Sequence, residues 1–578
     1  MVSSQLVIDL ATLQSWSGSY RSAPIALKLT GVKRTPIEVF LACKTVSHHC
    51  FILESMEDAD STGRYTFIGY DPSLEFFCKD GHVTIREPGR VTHHETTTPG
   101  AWLSTLLTDI AGPRVDFLPP FTGGFAGYIG YDYIKYAEPS LRLDSYDEEG
   151  FRDIDLMYFD KVIAFDHLTD EVYLIHTITL PSADSMGRHP ATCAQDDEGD
   201  ARNDEEALTQ DDTETGARLS DSGPESLSEL NSRAAEVLEQ MAQVVTCGEM
   251  AEMPRLRTTS EFEALFSKEE FVDIIAKAKE HIVEGDIFQV VPSNRLRAPA
   301  EGSLFETYQL MRRTNPSPYM FYFSSDDLEL AGCSPETLVK LTGDEVMTFP
   351  LAGTRPRGTT PAEDIQLEAD LLADAKELAE HTMLVDLGRN DIGKVSRFGS
   401  VEVTEYMEIL RFSHVMHIGS VVSGRVREGV TAMDAIQAVL PAGTLSGAPK
   451  IMACQIINDL EGVKRGIYGG AIGYISTTGD MDTCIAIRLA YKKGDNIYVR
   501  AGCGIVADSN PEAEWEETIN KMKAVITALG DAQNPGRDSR SCDCAQDDGE
   551  SFTSPISSPC GTQSHSAQDP DSTSEVTS

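Results

Sequence analysis

The 578-residue sequence has no run of about 18 apolar residues, so no transmembrane helix is expected. It is poor in basic residues: 48 Lys and Arg stand against 92 Asp and Glu, a formal net charge of −44. A nucleic-acid binder needs basic patches to neutralise phosphate, so that class is excluded. The twelve cysteines are scattered, with neither a CxxC pair nor metal-finger spacing. They read as reduced thiols. Met1–Leu10 lacks the basic start and small-residue cleavage site of a secretory signal, and a cytoplasmic location is expected. The glycine-rich stretch Phe121-Thr-Gly-Gly-Phe-Ala-Gly-Tyr-Ile-Gly-Tyr-Asp132 is neither GxGxxG nor a P-loop. Its glycines are expected to mark bulges or close backbone approach within a strand.

At 41% hydrophobic, the chain has ample material for a core. Residues 1–183 carry short runs rich in β-branched and aromatic residues, as strands are: Cys50–Leu53, Tyr65–Tyr70, Lys161–Phe165 and Glu171–His176. Residues 184–232 turn acidic and poor in large apolar residues, which predicts an insert that cannot offset its chain entropy. A connecting helix and linker over 233–262 is expected to regain helical period from Ala234. Residues 263–530 alternate helices (about Lys268–Val283 and Pro511–Leu529) with strands at Asp286–Val291, Tyr319–Phe323, Leu338–Leu341, Glu345–Pro350, Phe412–Val422, Gly466–Ile475, Thr483–Ala490 and Ile497–Ile505. Leu351–Gly358 and Pro441–Lys450 read as loops. The tail 531–578 is low-complexity again, and Cys193-Ala-Gln-Asp-Asp197 recurs in it as Cys544-Ala-Gln-Asp-Asp548.

The segment Glu377–Asp391 has helical periodicity, and residues three apart on a helix share a face. Glu377 and Glu380 therefore point the same way, as do Glu514 and Glu517 in Pro511-Glu-Ala-Glu-Trp-Glu-Glu-Thr518. Two such pairs facing across a cleft would suit Mg²⁺, a hard cation that takes oxygen ligands. Glu-x-x-Glu is also common on solvated helix faces, so spacing alone leaves both readings open.

Several motifs occur together in a fixed order: Gly285-Asp-Ile-Phe-Gln-Val-Val-Pro-Ser293, Leu351-Ala-Gly-Thr-Arg355, His381–Asp391, Gly443-Thr-Leu-Ser-Gly-Ala-Pro-Lys450, Tyr468-Gly-Gly-Ala-Ile-Gly-Tyr474, Asp482-Thr-Cys-Ile-Ala-Ile-Arg488 and Ala501-Gly-Cys-Gly504. On these the chain resembles the chorismate-utilising enzymes, and among them the anthranilate synthase component I group. The resemblance implies an α+β fold in which antiparallel sheets pack against each other with flanking helices.

It also implies roles. Glu380 and Glu517 match Mg²⁺ ligands, and Glu377 and Glu514 the carboxylates beside them. Arg488 and Tyr468 match residues that hold the enolpyruvyl carboxylate, and Gly502, Cys503 and Gly504 the turn for the other carboxylate. Gly353, Thr354, Thr444 and Lys521 match substrate-facing positions. His417 matches a catalytic histidine, a general acid–base candidate because its ordinary pKa lies near neutrality. Glu54 and Ser55, with Pro318, Tyr319 and Met320, match a tryptophan-binding regulatory element. Relatives that add water carry a lysine where Gln289 stands, and 4-amino-4-deoxychorismate synthases a nucleophilic lysine where Ala352 stands. What remains is attack by ammonia to give anthranilate and pyruvate, the first step of tryptophan biosynthesis. A glutamine amidotransferase partner would supply the ammonia and make the assembly a hetero-oligomer. The deoxychorismate synthase and a non-catalytic tryptophan sensor are the competing readings.

Overall fold

The computed structural model describes residues 2–56, 62–181, 226–412 and 415–533. Most of the acidic insert (182–225) and the tail from 534 lie outside these residues. Every strand pair in the two large sheets is antiparallel. The fold is α+β, as the sequence implies.

The first sheet has thirteen strands. In order across it run Ser3–Leu6, Ser22–Thr30, Glu171–Thr179, Lys161–Asp166, Tyr65–Tyr70 and Cys50–Glu54, then Tyr319–Ser324, Leu328–Ser334, Leu489–Lys493, Asn496–Gly502 and Ser293–Glu301. The second has twelve, running from Leu351–Pro356 through Val415–Arg425, Thr337–Thr342 and Ala471–Ser476 to Gly124–Ile129 and the N-terminal strands beyond. Both sheets thus draw strands from before and after the acidic insert. The seams are Cys50–Glu54 against Tyr319–Ser324 and Gly124–Ile129 against Ala471–Ser476. Aromatic rings fill the space between the sheets: Phe51 meets Phe159 at 4.8 Å between centroids and Phe67 meets Tyr474 at 5.8 Å. Edge-on pairs of this kind add to the burial of their own area.

The glycines of the second seam act as expected. A Cβ on Gly127 (φ +151°) would lie 2.2 Å from the Asp155 carbonyl oxygen. Only a residue without a side chain lets the three strands close there.

The structure departs from the sequence reading in several places. Leu351–Pro356, expected as a loop, is a strand paired with Val415–Arg425, with a bulge between Ala352 and Thr354 where Gly353 takes φ +68°. That bulge breaks the alternation on which strand recognition depends. Of Asp286–Val291 only Gln289–Val290 pairs, with Gly447–Ala448, and Phe288 faces solvent. The run 483–490 divides into Met481–Ile485 and Leu489–Lys493, one in each sheet, with Arg488 (φ +50°) at the turn. The connecting helix begins at Leu227 rather than Ala234, because Ser226 and Glu229 form a capping box and Leu230 is buried. No helix among the described residues is long and apolar enough to cross a membrane.

Gly127→Ala should destabilise the protein by about 2–3 kcal/mol, since strain and overpacking act together. Thermal melts check this; an unchanged midpoint would mean that the seam backbone has room to shift.

Candidate active site

Two helices bring the acidic pairs together. Asp374 caps Ala375–Gly393 by accepting from Lys376 N at 3.0 Å and Glu377 N at 3.3 Å, and is held by Arg355 at 2.8 Å. The second helix, Pro511–Gln533, starts with Glu512 and Glu514 in its first turn, where acidic groups suit the helix dipole. Burial pushes the Glu380 carboxyl above its usual range, and the charges of Glu377 and Glu517 push it the same way. Gln289 opposes this by donating Nε2–H to Glu380 Oε1 at 2.8 Å. Glu514 is also raised, by burial first and by Glu517. Glu517 pairs with Lys521 at 2.8 Å, and Lys521 donates to the Gly502 carbonyl at 3.1 Å. Gly504 lies against Gln289, whose Nε2 would be 2.7 Å from a Cβ there.

No three of these carboxylates have their oxygens within 4.8 Å of one another; the one such group among the described residues is His281, Glu284 and Asp286, at the end of another helix. Two carboxylate ligands, with water and substrate in the other positions, are what Mg²⁺ ordinarily accepts. The donor set fits. Neighbouring carboxylates raise the pKa of Glu380 and Glu514, oxygen donors predominate, and Lys521 pairs with Glu517.

His417 stands on the strand Val415–Arg425 opposite Thr354. Its Nδ1 lies 2.9 Å from the Gly353 carbonyl and 3.0 Å from Thr354 Oγ1. The carbonyl can only accept, so Nδ1 carries the proton and Nε2 is left as the base. Burial lowers the imidazole pKa against the pull of that carbonyl, and Arg488 and Lys521 lower it further. Gly353 also sits 3.3 Å, measured from a built Cβ, from a Glu377 oxygen.

Glu336 is a group the sequence reading did not single out. It lies in Ser334-Pro335-Glu336-Thr337, where the chain leaves Leu328–Ser334 of the first sheet for Thr337–Thr342 of the second. The residue is 7% exposed, and Thr444 Oγ1 donates to its carboxyl at 3.1 and 3.2 Å. Burial raises its pKa to about 8, against Thr444, the Leu351 N–H, Arg488 and Lys521. Burial thus favours its protonated form, a carboxylic acid able to give up a proton. An acidic residue directly after Ser-Pro at the end of an apolar strand was the available signal.

The Arg488 carbonyl accepts from the Cys333 N–H at 3.1 Å, while its guanidinium has no hydrogen-bond or ion-pair partner among the described residues, yet its charge reaches Glu336 and His417. A free guanidinium in a cleft suits a substrate carboxylate. Tyr468 is buried, with Arg465 and Arg500 at 5.7 and 5.9 Å from its ring, and burial pushes its hydroxyl to about 12. Behind it the fully buried Glu461 accepts from Arg465 Nε at 3.1 Å, from Arg500 Nη2 at 2.6 Å and from Ser293 N at 2.7 Å. Ser293 pairs with Gly502, so this network fixes the Gly502–Gly504 turn. The Cys503 N–H donates to the Pro292 carbonyl at 3.3 Å, and burial holds its thiol neutral, pushed to about 12. Ala352 faces Ile418 across the strand pair.

The residues expected to form the tryptophan element also come together, in the first seam. Met320 is opposite Glu54, and the Met56 N–H donates to the Ser317 carbonyl at 3.2 Å, which lays Ser55 beside Pro318 and Tyr319. Glu54 is buried and accepts from Tyr308 and, at 2.6 Å, from Arg312.

The profile of the chorismate binding enzymes matches residues 48–527. The chain is 40% identical over 517 residues to anthranilate synthase component 1 of Pseudomonas aeruginosa, covering 89% of this chain and 96% of that one. It belongs to the anthranilate synthase component I family of chorismate-binding enzymes. The corresponding protein of Aquifex aeolicus is 39% identical over 524 residues, covering 91% of this chain and 98% of that one. Anthranilate synthase component I from Streptococcus pneumoniae superposes with a TM-score of 0.61 at 35% identity, over 80% of this chain and 92% of that one. The menaquinone-specific isochorismate synthase of Escherichia coli, 18% identical, shares the fold with a TM-score of 0.61 over 90% and 98%. As a member of this family the chain is a chorismate-utilising enzyme.

Glu461→Gln should cost about 3–5 kcal/mol, because it leaves two buried guanidinium groups short of their counter-charge. Denaturant unfolding measures it, and a loss below about 1 kcal/mol would mean that water reaches the cluster.

Proposed function

We propose that the chain converts chorismate and ammonia to anthranilate and pyruvate. The observation that carries this reading is Gln289. A neutral amide cannot deprotonate water, and its Oε1 is buried without a partner beside Glu380. An orphaned acceptor of that kind is costly unless a donor arrives, and ammonia is a donor with three N–H bonds. Ala352 offers no amine to form a covalent adduct.

The chemistry runs in two steps. Ammonia attacks C2 of the ring, the double bonds shift, the C4 hydroxyl leaves as water with the proton of Glu336, and the new C2 ammonium group gives up one proton, which restores the balance. His417 Nε2 then removes the C2 proton, the C–O bond between ring and enolpyruvyl group breaks with its electron pair going to oxygen, and the departing enolate picks up a proton at carbon to become pyruvate, leaving an aromatic ring. Arg488 and Tyr468 hold the enolpyruvyl carboxylate; the Gly502–Gly504 turn and Lys521 face the other. Bound at Glu380 and Glu517, with Glu377 and Glu514 beside them, Mg²⁺ would screen and orient that ring carboxylate.

At neutral pH most free ammonia is protonated and is no nucleophile. A thiolate glutaminase centre would have to generate it, yet among the described residues burial raises the pKa of every buried cysteine thiol, and the exposed Cys247 donates to the Gln243 carbonyl of its own helix. Ammonia therefore comes from a separate glutamine amidotransferase subunit in a hetero-oligomer. Tryptophan inhibits through Glu54, Ser55 and the Pro318–Met320 turn, and the enzyme works in the cytoplasm.

The purified chain with chorismate, Mg²⁺ and ammonium at alkaline pH should give fluorescent anthranilate, and with glutamine alone none. Glu380→Ala should abolish turnover, and His417→Ala should slow it by roughly 10²–10⁴-fold with an aminated intermediate accumulating. Full activity in chelator, or an unimpaired His417→Ala enzyme, overturns the corresponding assignment. Ser55→Ala should weaken tryptophan inhibition while leaving uninhibited turnover intact; equal sensitivity would remove Ser55 from the site.

A further inference from the structure

The Tyr319 side chain points away from the seam in which its backbone lies. Its hydroxyl donates to Asp482 Oδ1 at 2.7 Å and, 2.8 Å away, accepts from Thr337 Oγ1. Asp482 is itself paired with Lys340 at 3.1 Å. Tyr319 belongs to the first sheet, while Thr337, Lys340 and Asp482 belong to the second. The hydrogen-bonded chain Thr337–Tyr319–Asp482 therefore fastens one sheet to the other.

It does so around Glu336. In the pairing of Tyr319–Ser324 with Leu328–Ser334, Tyr319 is opposite Ser334, the residue at one end of the crossover that carries Glu336. The Ser334 hydroxyl accepts from the Glu336 N–H at 3.4 Å. Thr337, bonded to the Tyr319 hydroxyl, is the other end. One residue thus grips the segment Ser334–Thr337 at both ends, through its backbone and through its phenol. The Glu336 carbonyl is fixed as well, accepting from Ile485 N at 3.0 Å on a neighbouring strand.

We propose that Tyr319 is a positioning residue for Glu336, its hydroxyl holding the crossover so that the acid stays shut from water and aimed at the C4 hydroxyl. The proposal rests on the reading of Glu336 as proton donor, and it gives the Pro318–Met320 turn a direct mechanical link to the chemistry. The charged groups around Glu336 are few. Arg488 and Lys521 act on it from the substrate side. Asp391 lines the same small cavity and is neutralised by Lys450 at 2.6 Å. Asp482, held by Lys340, lies at the far end of the hydroxyl chain. None of these would be removed by a change at Tyr319. What would change is water access: a loosened crossover hydrates the carboxyl and lets its pKa fall toward the ordinary range. A proton donor works only while protonated, so activity would then be lost at lower pH.

The test compares kcat and KM across pH for the wild type, Tyr319→Phe, Thr337→Val and Glu336→Gln, with saturating ammonium. Phenylalanine fills the same space and removes the hydroxyl alone. Tyr319→Phe and Thr337→Val should each lower kcat by roughly tenfold with KM for chorismate within about twofold, and move the alkaline limb of kcat down by about one unit. Glu336→Gln should lose roughly 10²–10⁴-fold. If Glu336→Gln is slow while both other variants keep the wild-type kcat and alkaline limb, Tyr319 does not position the acid and the donor reading stands. A fast Glu336→Gln enzyme removes the donor reading and this proposal with it. Should Tyr319→Phe fail to fold, Thr337→Val breaks the same chain from the other end and decides the matter. A raised KM with unchanged kcat in both would also overturn the proposal.

Discussion

Glu336 has to remain a neutral acid in a site built to attract anions. Arg488 and Lys521 both favour its ionised form, as do the Thr444 hydroxyl and the Leu351 N–H; burial outweighs all four. That balance holds because the chain passes from one sheet to the other at this point and Glu336 is buried there apart from a small cavity. Around it stand groups of complementary character: His417, kept neutral by burial and by neighbouring cations, and Glu380, raised by burial and by other carboxylates. A neutral base, a neutral acid and a carboxylate pair in one cleft are the parts needed to move protons around a dianionic substrate without binding it too firmly through charge.

The architecture that shuts Glu336 in depends on both halves of the chain. Neither sheet is complete without strands from each side of the acidic insert, and both seams run close to functional residues. One seam places Glu54 against Met320; the other begins at Ala471, three residues after Tyr468. A change in the packing of the first seam therefore reaches the crossover of Glu336 through Tyr319 over a few bonds. Coupling between the proposed tryptophan element and the site would not require a wholesale rearrangement, only an element with two packings whose balance both ligands bias.

The sequence made much of this legible. The carboxylate spacing in Glu377–Glu380 and Glu514–Glu517 survives in the structure as two helices whose charges act on each other, and the glycines of Phe121–Asp132 are where backbones touch. Those features are local: a period or a residue without a side chain announces them. Leu351–Pro356 was missed because the bulge at Gly353 hides the alternation of a strand, and that same bulge gives His417 its carbonyl partner. Glu336 was missed because its one local signal, an acid directly after Ser-Pro at the end of an apolar strand, does not announce burial. Its character comes from a crossover between sheets, which is a property of topology and not of neighbouring residues. The start of the connecting helix at Leu227 was obscured by acidic composition, although Ser226 and Glu229 form a capping box that could have been read.

The central claim is that Glu336 is protonated at neutral pH. Infrared difference spectroscopy between the wild type and Glu336→Gln at pH 7 measures this directly. The account predicts the carbonyl stretch of a protonated carboxylic acid in the wild type, absent from the variant and fading as pH rises through about 8. A carboxylate band from Glu336 at pH 7 would contradict it.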